Sequence, residues 1–498
     1  MDRKGQVYDI ITNRSLTYRQ KKHLLAVQGE NILDYPNLSS ETWEYYQKKV
    51  LCDLYEGNAP YRPRYILPDY NLLFSKGSTF LNLKPPTDLF EAIQSLIIMY
   101  TNVPSITGQP VYLGNIDQLL EPFTKGLDED YIYKMIKWFL ISIDRIIADG
   151  FAHMNIGPEE TLIGKLILKA ERELKQSVPN LSFKYCKERT SEEFLLEAVN
   201  TALITGKPHF HNHQLISEQV GNYGIVSCYN NLKIGGGSHT LVRINLLKLA
   251  REAKDLEDFL NSKLKDIAKS AVEMVNARAR FLVEEVKYFE TDFLAEEGFI
   301  SLDNFTSMVG VFALAEAVNY FSEGKYGLDQ NANRLGLEII HALDKYLKEH
   351  PGLYCKGSGD RVVLHAQSGI SEDVEETAGT RIPIGDEPPL FQHLNAVIPF
   401  HKYFVSGTSD IFIFDKTIRQ NPQALADIIK GSMDKGLRTF TVNVGDSDLI
   451  RVTGYLIKRT DLENYRKGVK NKDSSANLGA EAIENQRILN RKVNKYGL

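Results

Sequence analysis

Three features of the sequence predict an α/β fold. Apolar residues recur with helical periodicity through most of the N-terminal third and again across residues 246–350. Strand-like runs stand at 361–366 and 439–444, and from residue 355 onward loops and strands replace the helical pattern. The chain has 498 residues, 43% apolar and 25% charged, which suits a large core. Length alone suggests about three domains, although α/β barrels often exceed that prior as one unit.

Charge and cysteine usage narrow the class. A net charge of −5 and a pI near 6.2 argue against nucleic acid or an anionic membrane as the main partner. Met1-Asp2-Arg3-Lys4-Gly5 leads into a polar segment with no apolar h-region, so no signal peptide and a cytoplasmic location are expected. Apolar runs such as Trp138-Phe139-Leu140-Ile141 are too short to span a bilayer. Cys52, Cys186, Cys228 and Cys355 form no CxxC pair, which fits a reducing compartment and disfavours a four-cysteine zinc site.

Along the chain, Ser40 is read as capping a helix through Gln47, Val50, Leu51 and Leu54, stopped by Gly57. Residues 58–86, rich in Pro, Tyr and Asn, read as an irregular wrap. Thr87-Asp88 opens a helix with Phe90, Ile93, Leu96 and Ile97 on one face. Residues 104–110 read as a loop, and helices are expected over 129–149 and 158–176. Thr190-Ser191-Glu192-Glu193 reads as a capping box, and Thr205-Gly206-Lys207-Pro208 as the stop of the same helix.

His209-Phe210-His211-Asn212-His213 follows. On a strand, residues two apart share a face, so the three histidines would point one way. They could share a metal ion, line a polar pocket, or be satisfied histidines of core or surface. Val226-Ser227-Cys228-Tyr229-Asn230-Asn231 ends an apolar stretch, and a lone cysteine is ordinarily an inert small hydrophobe. Gly235-Gly236-Gly237 lacks the Lys-Ser/Thr of a P-loop and reads as a tight loop where space is needed.

Residues 246–289 carry apolar periodicity with dense Lys and Glu, the pattern of a solvated outer helix pair. Residues 305–320 read as a buried helix with one glutamate, Glu316, and residues 337–347 as an amphipathic helix. Glu376 to Arg381 lies in a loop, and residues 421–436 read as a helix leading to the last strand. The segment 466–480 is polar and expected to be flexible, and residues 480–493 are able to form a terminal helix. Between them stands Arg451-Val452-Thr453-Gly454-Tyr455. Gly454 could simply relieve a turn. It could also lose an α-hydrogen to give a radical delocalised over the flanking amide and carbonyl, planar because no Cβ interferes.

The order of these marks resembles the glycyl radical enzymes, across about residues 100 to 460. Arg451-Val452-Thr453-Gly454-Tyr455 looks like the glycyl loop, and Val226-Ser227-Cys228 like the cysteine loop. Gly114-Asn115-Ile116-Asp117-Gln118 with Pro122, Gly206-Lys207-Pro208, and the Gly-x-x-x-Leu-x-Glu-Ala run at Gly310 to Ala317 match further elements. There are departures. Tyr229 replaces the second cysteine of pyruvate formate-lyase-like members, and Asn230 stands where diol- and choline-lyase-like members place a base. The Cys-rich zinc site that anaerobic ribonucleotide reductases carry near the end is not seen, and the short N-terminus is expected to leave no room for their nucleotide-binding cone, while the Asn231-to-Asn245 loop and Glu376…Arg381 are reminiscent of them. The Cys228-Tyr229-Asn230 pattern most resembles the YjjI-type glycine radical enzymes.

The resemblance implies a ten-stranded β/α barrel of two antiparallel five-stranded halves wrapped by helices, with both loops meeting inside. It divides the chain into a helical wrap (1–100), a barrel core with the Cys228 loop (101–436), a glycyl radical loop (437–465) and a tail with a helix (466–498). It implies that a radical-SAM activating enzyme installs a radical on Gly454, with no bound cofactor and no metal. Gly454 then oxidises Cys228 to a thiyl radical, which takes hydrogen from a small organic substrate so that a C–C or C–O bond breaks or rearranges. His209, His211, Asn230 and Glu376 are the candidate substrate contacts. An oxygen-sensitive lyase or oxidoreductase of anaerobic metabolism is expected, with an activase partner and no nucleic-acid or membrane partner; a homodimer is compatible. Three alternatives stay open: a nucleoside- or nucleotide-directed radical enzyme, a metalloenzyme ligated by His209, His211 and His213, and a binding protein that has lost the chemistry.

Overall fold

The computed structural model describes residues 3–13, 18–53, 57–104, 111–146, 152–227, 229–366, 376–451 and 456–469. Cys228 and Gly454 therefore lie outside the described residues, as do the expected terminal helix and nearly all of the 104–110 loop. The described strands are β1 (Leu51–Cys52), β2 (Tyr65–Leu67), β3 (Tyr112–Asn115), β4 (His153–Ile156), β5 (Asn180–Tyr185), β6 (His209–Asn212), β7 (Tyr223–Val226), β8 (Asn230–Lys233), β9 (Gly236–Asn245), β10 (Phe305–Phe312), β11 (Val363–His365), β12 (Asp410–Phe414), β13 (Thr439–Val444), β14 (Leu449–Arg451) and β15 (Leu456–Lys458).

They form two large sheets and two hairpins. In the first sheet β9, β10 and β11 are parallel, and β1 and β2 run antiparallel along β9. In the second, β3 to β6 are parallel, β13 is antiparallel to β6, and β12 is parallel to β13. A parallel bridge from Ile66 to Val111 links the β2 and β3 edges. At the far edges the Ala366 N–H donates to the Gly407 carbonyl at 3.1 Å, but β11 and β12 do not pair, so the described strands form no closed barrel.

The second sheet has two chemically distinct faces, as strand alternation dictates. Leu181, Phe183, Phe210, Phe440 and Val442 occupy one face, and Phe183 meets Phe194 of the helix Glu192–Thr205 with ring centroids 4.9 Å apart. Each such ring or branched chain withdrawn from water contributes about 1.5–3 kcal/mol. The other face carries His153, Asn155, Ser182, Lys184, His209, His211, Thr439, Thr441 and Asn443, all buried. Buried polar groups require partners, and the hairpin β7–β8, which packs between the two sheets, supplies many of them.

Several expectations are corrected. The helix expected from Ser40 is capped by Ser39 and ends at Gln47, because Lys49 turns left-handed (φ 60°) and the Val50 N–H closes the end on Tyr45 O at 3.0 Å. Leu51 is then free to enter β1, and Leu54 is outside the described residues. The 58–86 wrap holds β2 and the helix Tyr70–Lys76. Phe90 is exposed, off the buried face of its helix. The run from Phe305 is strand β10, not helix: flanked on both sides by parallel strands and buried on both faces, it shows no alternation to betray it. The helix there begins at Leu314, after a left-handed Ala313. The supposed outer helix Leu264–Arg280 packs on β9 with Ile267, Ala271, Met274 and Arg278 buried; Arg278 donates to Gly57 O (2.7 Å) and pairs with Asp53 (3.1 Å). Gly236 and Gly237 begin β9, where an added Cβ would strike Asn304 O at 2.3 Å and Tyr65 O at 2.0 Å, so space is what they provide.

No helix among the described residues is long and apolar enough to cross a membrane.

Candidate active site

The site is built on the polar face of β4, β5 and β6. Its chemistry begins with histidines held neutral. Burial pushes His153 down to about 3, and His209 and His211 well below the ordinary imidazole range; Arg451 adds to the effect on His209, and His153 to that on His211. Their bonding pattern fixes the tautomers. Ser227 O only accepts, so His153 Nδ1 donates to it and His153 Nε2 accepts from Ser182 Oγ at 2.7 Å. Ser182 Oγ in turn accepts from His211 Nε2 at 3.0 Å, and His211 Nδ1 accepts from Thr439 Oγ1 at 3.1 Å. One directional chain thus runs across four strands and ends on the carbonyl of the residue before Cys228.

His209 sits between these partners, its ring centroid 5.6 Å from His153 and 5.8 Å from His211. Both its nitrogens are buried without a hydrogen-bond partner among the described residues. It is the one histidine of the array with donor and acceptor capacity to spare.

Two further side chains of the face hold β7. Asn155 Nδ2 donates to Ile225 O at 2.9 Å, and its Oδ1 accepts from the Ile225 N–H at 2.8 Å. Lys184 Nζ donates to Tyr223 O at 2.9 Å. Tyr223, Ile225 and Ser227 are therefore gripped at alternate positions by Lys184, Asn155 and His153. Ser227 then turns left-handed (φ 58°), a region that costs most non-glycine residues about 1–2 kcal/mol. Past the turn, Tyr229 Oη donates to Ala366 O at 2.9 Å, stacks on His365 and accepts from Arg381 Nη2 at 3.3 Å. Asn230 is buried, and its amide donates to Val226 O at 3.0 Å.

The chain flanking Gly454 meets the same face. Arg451 is fully buried and donates from Nη2 to Gly206 O at 3.0 Å. Gly206 is left-handed (φ 68°), and a Cβ there would lie 3.0 Å from Leu456 Cδ2, just beyond the glycyl-like segment. Beside it, Lys207 Nζ pairs with Glu171 at 2.7 Å and donates to Pro179 O at 2.7 Å, both ions fully buried. Lys207→Met is expected to destabilise the protein by about 3–5 kcal/mol, because it strands a buried carboxylate. Lys207→Met/Glu171→Leu should recover most of the loss, with denaturant midpoints as the measurement.

The array separates into parts that sequence alternation joined. His209 and His211 share the buried face, but β6 ends at Asn212. His213 begins the helix His213–Val220, where it bonds Tyr223 Oη and Arg189. Strand alternation lapses once the backbone turns helical. Among the described residues no group of three or more His, Cys, Asp or Glu side chains is arranged to hold a metal ion; His153 and His211 are committed to the hydrogen-bonded chain. Glu376 accepts from Asn245 Nδ2 at 2.7 Å at the end of β9, and no described contact joins it to the histidines. Asp117 of the Gly-x-x-Asp-Gln element is buried and pushed up to about 7, mainly by burial; it accepts from the Gly157 N–H (2.8 Å) and Thr161 Oγ1 (3.3 Å), a structural tie between β3 and β4. His153, Ser182, Asn155 and Lys184 were not singled out from the sequence. Their signal was alternation of polar with apolar residues in 153–156 and 180–185.

Two facing sheets, with the hairpin β7–β8 between them and the β14–β15 pair beside the same polar face, define a mixed α/β architecture similar to that of glycyl radical enzymes. The fold is shared with the anaerobic ribonucleotide reductase of Thermotoga maritima, solved with dATP and CTP (12% identity, TM-score 0.75, 94% of each chain). It is shared also with the hydroxyproline dehydratase of Clostridioides difficile, solved with trans-4-hydroxy-L-proline (12% identity, TM-score 0.71, 98% of this chain and 88% of that one). The chain belongs to the glycyl radical enzyme YjjI-like family, whose model matches residues 16–494. The YjjI protein of Escherichia coli (strain K12) is 43% identical over 490 residues, 97% of this chain and 94% of that one.

Proposed function

We propose that this protein stores a radical on Gly454, passes it to Cys228 as a thiyl, and uses the thiyl to take hydrogen from a small organic substrate, leading to C–C or C–O cleavage or rearrangement. One observation carries the reading: the residues flanking both loops are bound to one buried face, Ser227 through His153 and Arg451 through Asn443. A radical-SAM activating enzyme is the proposed source of the radical. The substrate is proposed to lie near Cys228 with His209, whose buried nitrogens are unpartnered, as the principal polar contact. His211, Asn230 and Glu376 complete the proposed substrate contacts; His211 and Glu376, already hydrogen-bonded to Ser182 and Asn245, are proposed to orient the substrate.

The finer architecture we propose is the ten-stranded barrel. Pairing directions support it: β2 to β6 run parallel in order, as do β9 to β11 and β12 to β13, and the first run meets the other two antiparallel at β2–β9 and β6–β13. On this reading residues 1–100 wrap a core of 101–436, 437–465 carry the radical loop and 466–498 form a tail. A cytoplasmic, oxygen-sensitive lyase or oxidoreductase acting as a homodimer is consistent with it.

The test is anaerobic activation followed by electron-spin spectroscopy and a screen of polyols, nucleosides and keto acids. Wild type should give a doublet split by the remaining α-hydrogen and turn over a member of the screen. Cys228→Ser should keep the doublet and lose turnover, because the hydroxyl O–H is too strong for the glycyl radical to break. Full turnover by Cys228→Ser, or no doublet from wild type with a competent activase, would overturn the reading.

A further inference from the structure

The polar face contains the same device twice. Asn155 on β4 binds both backbone groups of Ile225, at 2.9 and 2.8 Å. Asn443 on β13 binds both backbone groups of Arg451, its Nδ2 donating to Arg451 O at 3.0 Å and its Oδ1 accepting from the Arg451 N–H at 2.9 Å. Both carboxamides are buried. Ile225 stands three residues ahead of Cys228, and Arg451 three ahead of Gly454. Asn155 lies on one of the parallel strands β3 to β6, Asn443 on β13, antiparallel to them.

Resting on the radical reading above, we infer that Asn155 and Asn443 are matched positioning residues that set the register in which Cys228 and Gly454 are presented to each other. A carboxamide suits the task because it offers one donor and one acceptor side by side, copying a strand neighbour's peptide group. Only alternate residues of a strand turn both N–H and C=O toward one edge. A slip of one residue would leave the clamp facing no backbone groups. A slip of two would restore it but displace the following loop by about 6.6 Å. Either slip defeats a hydrogen transfer that needs contact distance. In β7 the grip is reinforced by Lys184 on Tyr223 O and His153 on Ser227 O. In β14 it is reinforced by the Arg451 guanidinium on Gly206 O.

The two clamps act on different steps, which makes them separable without knowing the substrate. The hydrogen transfer Gly454• + Cys228–SH ⇌ Gly454–H + Cys228–S• breaks one S–H bond and forms one C–H bond. In D2O the thiol hydrogen exchanges, the returning step can remove the original α-hydrogen, and the glycyl doublet collapses to a singlet. Activated wild type should therefore lose its doublet splitting in D2O. Asn155→Asp keeps the acceptor for the Ile225 N–H but turns an oxygen toward the Ile225 carbonyl. It should form the radical at wild-type yield and exchange roughly tenfold more slowly or worse, the scale of loss expected from sub-ångström to ångström misplacement. Asn443→Asp should instead lower radical yield roughly tenfold, because the activase meets a shifted loop. Exchange at the wild-type rate in Asn155→Asp, or wild-type yield in Asn443→Asp, overturns the inference while leaving the radical reading intact. A wild type that forms no radical removes both. Should either variant fail to fold, amide hydrogen exchange in the unactivated wild type decides: strong protection of the Ile225 and Arg451 N–H groups is expected, and exchange at the rate of exposed loops would overturn the clamps.

Discussion

Air admitted to the activated protein is expected to cut the chain once, at Gly454. A backbone carbon radical adds O2 to give a peroxyl species, and the chain breaks at that residue. The smaller fragment should contain Tyr455–Leu498, read by mass spectrometry. Unactivated protein and Gly454→Ala should stay whole. Alanine adds a Cβ that crowds the planar radical, and the activase would meet a differently presented hydrogen. The surroundings make the effect close to all-or-none: Arg451 and Leu456, on either side of the loop, are buried against Gly206, so the radical should persist under anaerobic conditions and be spent only when oxygen enters. An intact chain from a sample with a proven doublet would reject Gly454 as the radical position.

Acid should destabilise the protein steeply below about pH 6.5, and the buried histidines should be the cause. Burial pushes His153 and His401 down to about 3 and His239 to about 4, and His209 and His211 well below the ordinary range. Each folded value lies below its unfolded value, so the unfolded chain takes up protons that the folded chain declines. The stability tied to these groups is fully present above 6.5 and is lost as pH falls toward 3. Each unmatched proton contributes a slope of about 1.4 kcal/mol per pH unit, so three of them give about 4. Asp117 runs the other way. Its folded value, about 7, exceeds its unfolded one, so it opposes the loss by up to one proton over the upper part of the window. Denaturant unfolding at pH 7.5, 6 and 5 measures the slope, and His401→Gln should reduce it by about one proton. Equal stability at pH 7.5 and 5 would contradict the burial assignment.

How much of this was legible beforehand depends on how local the cause is. Helix ends could be read where a cap and its partner lie within a few residues: the start read as a Thr190–Glu193 box is capped instead by Ser191, which receives the Phe194 N–H, Asn421 receives the Ala424 N–H, and Gly206 closes its helix in the left-handed region. The loop motifs around Cys228 and Gly454 were legible as patterns, and family membership follows from them and from the whole-chain match. The shared face of His209 and His211 was legible because alternation is a property of one strand.

Tertiary structure decided what depends on a neighbour from far along the chain. Strand β10 could not be told from a helix because both its edges are paired with, and both its faces buried by, elements remote in sequence. His213 was grouped with the wrong partners because the backbone changes period one residue earlier. The hydrogen-bonded chain from Thr439 to Ser227 joins four strands whose order is set only when the sheet assembles. The clamps of Asn155 and Asn443 likewise couple side chains to backbone groups, and backbone groups carry no sequence signature. Sequence by itself determined the family and the shared face of His209 and His211; packing alone decided which buried polar group satisfies which, because that pairing follows from strand order and register rather than from residue type.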